Sequence, residues 1–217
     1  MKKNILLKIY DRAYINSYVK IKSAIFKSKR HKSLNNTDIT IISNNCIGGC
    51  LYSDFGLKFK SPFIYLFMES DDFIKICNDL KYYLGLPLLF CPSASTFNYP
   101  IGQLGDVTVH FFHYKSEAEA LNSWKKRVAR INYDNLFVIH STRDRFECEQ
   151  LSKFEIIPYK KVLFSHLKLE ENDIVVCKEF VGAEVFPESF VTKRLYHDYF
   201  DFIDWFNGKS TNDCKKS

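Results

Sequence analysis

Two polar clusters carry side chains that could bind or transform a ligand, and each follows a strand-like apolar run. The first comes after Ile39-Thr40-Ile41-Ile42 and comprises Asn44, Asn45, Cys46, Gly48 and Gly49. The second comes after Leu136-Phe137-Val138-Ile139 and comprises Ser141, Thr142, Arg143 and Asp144. Strand ends leave backbone amides facing a crevice, and glycine lets a ligand approach the main chain closely. Both clusters therefore predict ligand-binding turns, although Gly48-Gly49 lacks the spacing of a dinucleotide or P-loop site.

Transfer of a sugar from a nucleotide donor would use both clusters. The amides of residues 45–49 would hold the diphosphate, a positive charge would come from Arg127, Arg130 or Arg143, and Asp144 would be the base. His113, at the end of the strand predicted over 106–112, is the alternative base, and His110 inside that strand is a weaker one. Solvated arginines and an ion pair of Asp144 with a neighbouring arginine are the alternatives that need no ligand.

Cys46 and His113 suggest a second chemistry, the transfer of an acyl group to a sugar hydroxyl. Backbone amides of the glycine turn would lower the pKa of the Cys46 thiol, and His113 would act as the base. Cys46 and Cys50 alone make a weak zinc motif, and the chain has no D-x-D triplet. We therefore expect neither an obligatory metal nor another cofactor, with the nucleotide sugar entering as a substrate.

Composition restricts the classes of function. The 217 residues include seven scattered cysteines, an odd number without a C-x-x-C pair or a secretory leader, which favours a reducing cytoplasm. No apolar stretch approaches the roughly 20 residues that cross a bilayer. The net charge of +6 is concentrated in residues 1–33, where ten basic residues face only Asp11. The rest of the chain is thus weakly acidic, and no nucleic-acid partner is expected.

Residues 1–35 are predicted to form a basic amphipathic helical segment, because apolar residues recur there at helical intervals. Such a segment could hold residues 1–33 against an anionic membrane at the inner face of the cell membrane. A solvated helix packed on its own domain, or a contact with an acidic partner, explains the same pattern. The three alternatives remain open at the level of sequence.

The order of strand, helix and strand through residues 38–180 predicts an α/β domain over 36–208 with a largely parallel sheet. We expect a Rossmann-like three-layer sandwich, preceded by the basic helical segment. One helix is predicted over about 70–84 and an aromatic-rich helix over 188–206. Residues 63–67 are predicted as a strand, and residues 209–217 as a disordered tail.

Several ordered motifs together resemble those of a known family. They are Ile42-Ser43-Asn44-Asn45-Cys46-x-Gly48-Gly49, Ser61-Pro62, His113-Tyr114-Lys115-Ser116 with Trp124, Arg127-x-x-Arg130-Ile131-Asn132, Ser141-Thr142-Arg143-Asp144 and Leu151-x-x-Phe154-x-x-x-Pro158-Tyr159-Lys160-Lys161. Over about residues 38–185 the chain is similar to an exopolysaccharide-biosynthesis family catalogued as domain of unknown function 1919. The resemblance implies a bacterial α/β protein from a capsule, lipopolysaccharide or exopolysaccharide setting, and it implies no mechanism.

Three functions follow as expectations. The first is a glycosyltransferase-like enzyme that moves a sugar from a nucleotide donor to a glycan or lipid-linked acceptor. The second is the acyltransferase that would use Cys46 and His113. The third is a non-catalytic module that recruits polysaccharide enzymes to the membrane through residues 1–33.

Overall fold

The structure is a computed structural model that describes residues 33–90, 97–142, 146–169, 171–184 and 186–216, together with residues 17, 20, 21, 24 and 25. Residues 17, 20, 21, 24, 25 and 33 are helical. Most of the basic segment 1–35 lies outside the described residues, as do Arg143 and Asp144. The expected membrane contact of residues 1–33 therefore stays a prediction. None of the described helices is long and apolar enough to cross a membrane.

Seven strands form two sheets in the described part of the chain. They are β1 (Thr40–Ser43), β2 (Leu88–Phe90), β3 (Ile101–Leu104), β4 (Val107–His110), β5 (Leu136–Ser141), β6 (Lys160–Ser165) and β7 (Ile174–Val176). The central sheet has the order β1-β5-β6-β7 and all its pairs are parallel. Thr40 is opposite Leu136, Phe137 is opposite Lys160, and Leu163 is opposite Ile174. The continuous apolar runs at β1 and β5 arise because a parallel sheet is buried on both faces.

Eight α-helices with described bounds lie in residues 33–216 around this sheet. They are α1 (Ile47–Asp54), α2 (Ser70–Asn78), α3 (Leu80–Gly85), α4 (Glu117–Val128), α5 (Cys148–Glu155), α6 (Ser189–Thr192), α7 (Tyr196–Tyr199) and α8 (Phe202–Phe206). Short 3-10 helices occupy Tyr133–Asn135, Lys178–Phe180 and Asn212–Cys214. The two hydrophobic clusters divide the strand residues by alternation, with Ile42 and Val138 in one and Ile41 and Phe137 in the other.

The two clusters are the interfaces between three layers. The first joins the sheet to α2, α3, α4, α5 and the antiparallel sheet β2-β3-β4. The second joins its other face to α1 and the C-terminal helices α6, α7 and α8. The Rossmann-like α/β sandwich with a mostly parallel sheet is therefore confirmed.

The local structure corrects three predictions of regular elements. Residues 63–67 contribute one antiparallel bridge, between Phe67 and His110, because Tyr65 has a φ of +58° that extended strands do not accept. The predicted strand that carries His110 is confirmed as β4, which belongs to the antiparallel sheet. The helix expected over 70–84 is interrupted at Asp79, whose φ and ψ are −135° and 57°. The helix expected over 188–206 is three short helices, since Arg194 has a φ of +59° and Phe200 is extended.

The C-terminal residues pack against the domain, which corrects the prediction of a disordered tail over 209–217. Thr211 and Cys214 are buried. The Thr211 hydroxyl donates to the carbonyl of Lys161 at 3.0 Å and accepts from the Trp205 indole at 3.2 Å. Phe200 and Lys215 form an antiparallel bridge.

His140, near the end of β5, is a buried polar side chain in an apolar environment. It is fully buried among the rings of Phe73, Phe146 and Phe154, and neither ring nitrogen has a hydrogen-bond partner among the described residues. Burial lowers the pKa of His140 from 6.5 to about 3, because the charged imidazolium would lose its hydration. The unfolded chain therefore binds a proton at His140 below pH 6.5 that the folded chain does not bind.

This difference predicts an acid-dependent loss of stability that His140→Leu removes. The contribution of neutral His140 is intact above pH 6.5 and declines by about 1.4 kcal/mol per pH unit as the pH falls toward 3. In urea unfolding, the wild-type protein should lose about 2 kcal/mol more than His140→Leu between pH 7 and pH 5. At pH 7 the variant should be at least as stable, since both orphaned nitrogens are gone. Identical pH dependence of the two proteins would contradict the burial of a neutral His140.

Candidate functional site

A cavity of about 640 Å³ lies at the carboxyl end of β1, beside the start of α1. This volume falls within the range typical of sites for small molecules. One part of its wall is apolar or aromatic and includes Tyr65, Leu66, Phe67, Tyr99, Phe112 and Val191. The polar side chains that line it are Asn45, Cys46, Cys50, His113, Glu188, Thr192 and Arg194. The site combines β1-α1 with the antiparallel sheet and the α6-α7 region.

Cys46 and His113 meet in this cavity, as the acyl-transfer chemistry requires. Cys46 is the N-cap residue of α1, and its Sγ lies 3.6 Å from His113 Nε2. Cys46 is half-buried, whereas His113 is exposed. The imidazole packs edge-on against Tyr65 and Phe112, with ring centroids 5.8 and 5.2 Å away. A thiol at a helix N-terminus beside an imidazole is an arrangement that favours a nucleophilic thiolate.

Strained backbone occurs at two residues that both line this cavity. Tyr65 and Arg194 are the non-glycine residues with positive φ among those described, at +58° and +59°. Side chains with a Cβ rarely adopt this conformation, and such strain concentrates at binding and catalytic sites. Backbone conformation thus points to the cavity independently of the Cys46–His113 contact.

A buried charged network includes Arg194, which lines the cavity. Asp54 is 1% exposed and lies 3.1 Å from the Arg194 guanidinium and 3.2 Å from His197 Nε2. The hydroxyl of Tyr196 also donates to Asp54, at 3.4 Å. Arg194 in turn donates to Cys50 Sγ at 2.7 Å. The network links the end of α1 to the α6-α7 region. Asp54 and Arg194, which join the two, are 140 residues apart in sequence.

The two cysteines of the cavity have different environments. Cys50 is buried, and its burial raises the pKa of the thiol to about 12 although Arg194 opposes the shift. A thiol with that pKa carries almost no thiolate at neutral pH. Cys46, one helical turn earlier, is beside His113. Of these two thiols, that of Cys46 is therefore the better candidate nucleophile.

Three of the predicted substrate-binding residues join strands inside the protein. The Asn44 amide donates to the Ser141 carbonyl at 3.0 Å, and its Oδ1 accepts from the Ser141 amide at 3.2 Å. Thr142 Oγ1 is 2.9 Å from His166 Nδ1. All three predicted residues are buried and none lines the cavity. We therefore assign Asn44, Ser141 and Thr142 to the fold, and only Asn45 of this polar set reaches the cavity.

The predicted glycine turn is the first turn of α1, and its backbone is already occupied. The amides of Ile47 and Gly48 donate to Asn45 Oδ1 and Ser43 Oγ, both at 2.9 Å. A Cβ on Gly48 would lie 2.7 Å from Ser43 Oγ, and one on Gly49 would lie 2.9 Å from the Tyr65 ring. Both glycines are thus required for close packing within the protein, and neither lines the cavity. The amides of Ile47 and Gly48 are not available to a diphosphate.

The remaining predicted residues lie elsewhere. Arg127 donates to the Tyr114 hydroxyl and stacks on Phe59, and Arg130 contacts the Phe59 carbonyl at 3.5 Å. Neither arginine lines the cavity. His110 does not line it either, and burial lowers the pKa of its imidazole. Arg143 and Asp144 lie outside the described residues, so their predicted roles stay predictions.

Sequence reasoning missed Tyr65, Arg194 and the Asp54 network. Tyr65 lies in an apolar run that is typical of a strand, and the sequence gives no sign of its positive φ. Asp54 and Arg194 are brought together only by the tertiary fold. Within the described ranges, no group of three His, Cys, Asp or Glu side chains is placed to hold a metal ion.

Comparison with known proteins shows similarity over most of the chain. A family model described as domain of unknown function (DUF1919) matches residues 17–207. An uncharacterized protein of Haemophilus influenzae is 34% identical over 207 residues, which are 89% of this chain and 99% of the relative. Neither description states an activity.

The buried network predicts a large and specific loss of stability in Asp54→Ala. Removing the carboxylate leaves Arg194 and His197 without their shared partner, which should lower the free energy of unfolding by about 3–5 kcal/mol. The matched control is Glu149→Ala, which breaks the exposed ion pair with Lys153 at 2.7 Å and should cost less than about 1 kcal/mol. Urea unfolding at pH 7 compares the two. Equal losses would contradict a buried, tightly coupled network.

Proposed function

The chain belongs to the DUF1919 family, and within it we propose that Cys46 and His113 transfer an acyl group from a thioester donor to a sugar hydroxyl. The observation that carries this proposal is the 3.6 Å contact between Cys46 Sγ and His113 Nε2 inside a cavity of ligand size. The position of Cys46 at the N-cap of α1 adds support. Surface-polysaccharide biosynthesis is the proposed setting, and it rests on the sequence resemblance.

The reaction has two steps. His113 takes the proton of Cys46, and the thiolate attacks the carbonyl carbon of the donor thioester. A bond forms between Cys46 Sγ and the acyl carbon, the donor carbon–sulfur bond breaks, and the departing thiol receives the proton from His113. The acceptor hydroxyl then gives its proton to His113 and attacks the acyl carbon. An ester forms, and Cys46 leaves as the thiolate.

The wall of the cavity supports a sugar as the acceptor. Tyr65, Tyr99 and Phe112 provide aromatic surfaces on which the C–H faces of a sugar ring can stack. Glu188 and Thr192 supply hydrogen-bond acceptors for hydroxyl groups, whereas the Asn45 side chain already bonds to Ile47 and Ser141. A site with a few polar groups on a mainly apolar wall is typical of small-molecule binding.

Sugar transfer from a nucleotide donor is the second candidate. Two observations favour it: the cavity lies at the carboxyl end of a parallel strand, and the Arg194 guanidinium lines it. The occupied amides of Ile47 and Gly48 count against a diphosphate at the start of α1. The two candidates differ in their need for Cys46, because direct sugar transfer should tolerate Cys46→Ser or Cys46→Ala.

Covalent labelling tests the proposal. Incubation with acyl-coenzyme A donors of several chain lengths, followed by intact-mass measurement, should show one added acyl group in the wild-type protein. The adduct should disappear in Cys46→Ala, and it should form about 100-fold or more slowly in His113→Ala. Cys148→Ala is the matched control, since Cys148 is exposed but does not line the cavity. That variant should label like the wild type.

Other outcomes would overturn the proposal. Thermal stabilisation by a nucleotide sugar, with no acyl adduct and with stabilisation retained in Cys46→Ala, would favour the sugar transferase. Labelling that persists in Cys46→Ala would exclude Cys46 as the nucleophile. An absence of adduct and of stabilisation by any acyl or nucleotide donor would favour a non-catalytic binding module.

A further inference from the structure

We infer that a row of aromatic rings extends the cavity into a binding track for a neutral oligosaccharide acceptor. The track consists of Phe97, Tyr99, Phe112 and Tyr65, with the His113 imidazole between the last two. This inference rests on the proposed function for the reaction at Cys46, and it adds the substrate class and the direction from which the acceptor approaches.

The rings contact one another from the protein surface to the reactive pair. Centroid distances are 5.3 Å from Phe97 to Tyr99, 5.1 Å from Tyr99 to Phe112, and 5.2 Å from Phe112 to His113. Tyr65 follows at 5.8 Å from His113. The row therefore leads without interruption to His113, whose Nε2 lies 3.6 Å from Cys46 Sγ.

The outer rings are exposed although they are apolar. Phe112 is 56% exposed and Phe97 is 48% exposed. Other large apolar residues with comparable exposure, such as Leu89, Ile156 and Tyr82, lie outside the cavity wall. Neighbouring exposed aromatic rings that continue into a cavity indicate a binding surface. Flat rings with partly accessible faces suit the C–H faces of sugars.

The ligand must be longer than the cavity to use the whole row. Tyr99, Phe112 and Tyr65 line the cavity, but Phe97 does not. A single sugar bound beside Cys46 and His113 would occupy the inner rings and leave Phe97 unused. An oligosaccharide would place one unit in the cavity and extend others over Tyr99 and Phe97.

The polar groups of the cavity favour a neutral, hydroxyl-rich ligand. Thr192 and Glu188 can accept hydrogen bonds from hydroxyl groups and Arg194 can donate them, whereas Asn45 already bonds to Ile47 and Ser141. The lining has one acid and one arginine, and therefore no excess of positive charge that would attract an anionic ligand. Arg194 is also paired with Asp54, which further limits its attraction for an anionic ligand.

Binding measurements on oligosaccharides test this inference. The wild-type protein is first probed on an array of bacterial capsular and lipopolysaccharide oligosaccharides. The best binder is then titrated beside its own terminal monosaccharide, and the oligosaccharide should bind at least about tenfold more tightly. Phe97→Ala should weaken oligosaccharide binding about five- to tenfold while monosaccharide binding is unchanged. Phe112→Ala should weaken both.

Tyr82→Ala is the matched control for removal of an exposed aromatic ring. Tyr82 is 57% exposed and lies on α3 outside the cavity wall. This variant should bind every glycan within twofold of the wild type, and far-ultraviolet circular dichroism should show that all variants are folded. Equal losses in Tyr82→Ala and Phe97→Ala would overturn the inference.

The remaining outcomes distinguish failure of the aromatic track from failure of the proposed reaction at Cys46. No binding on the array, or an oligosaccharide that binds no more tightly than its monosaccharide, would overturn the track even if Cys46 forms an acyl adduct. Oligosaccharide binding that depends on Phe97 and persists in Cys46→Ala would support the track even if no adduct forms. Binding to phosphatidylglycerol vesicles that requires Phe97, without glycan binding, would identify a membrane contact and overturn the inference.

Discussion

The hydrogen bonds at the junction of β1 and α1 are the interaction on which the candidate site depends. Ser43, Asn44 and Asn45 are three consecutive polar residues, and none is more than 2% exposed. Ser43 and Asn45 accept from the first amides of α1, while Asn44 bonds to the main chain at the end of β5. Each buried hydrogen bond contributes about 1 kcal/mol net, and breaking one costs about 1–3 kcal/mol. Cys46 is consequently fixed relative to the sheet, so its thiol has a defined position for reaction.

The parts of the fold that the sequence predicts well are those with a simple physical pattern. Strands β1, β5, β6 and β7 are apolar runs because both faces of a parallel sheet are buried. The residues after these strands have no such pattern. An asparagine there can bind a ligand or can equally form hydrogen bonds with a buried backbone group. Asn44 does the second and Asn45 reaches the cavity, although they are adjacent. Local sequence does not distinguish them, since the difference arises from where β5 ends.

The sequence predicts that Cys46 and His113 act together, but it does not predict the residues that surround them. Tyr65 packs beside the imidazole because its backbone adopts a positive φ and because Gly49 has no Cβ that would displace its ring. A positive φ at a non-glycine residue costs about 1–3 kcal/mol and persists only where packing enforces it. Two such residues in one cavity indicate that the core stabilises a conformation that the isolated segments would not adopt.

Distant parts of the chain assemble the cavity, and three of them are held by different interactions. Hydrogen bonds fix residues 45–50 to the sheet, and the antiparallel sheet carries Phe112 and His113 beyond the end of β4. The Asp54 network holds Arg194 and the α6-α7 region against the end of α1. Lys216 also holds that region. Its Nζ donates to the carbonyl of His197 at 2.7 Å, and its backbone amide donates to the carbonyl of Tyr199 at 2.8 Å. The packed C-terminal residues thus stabilise one wall of a site whose proposed nucleophile lies 170 positions earlier in sequence, at Cys46.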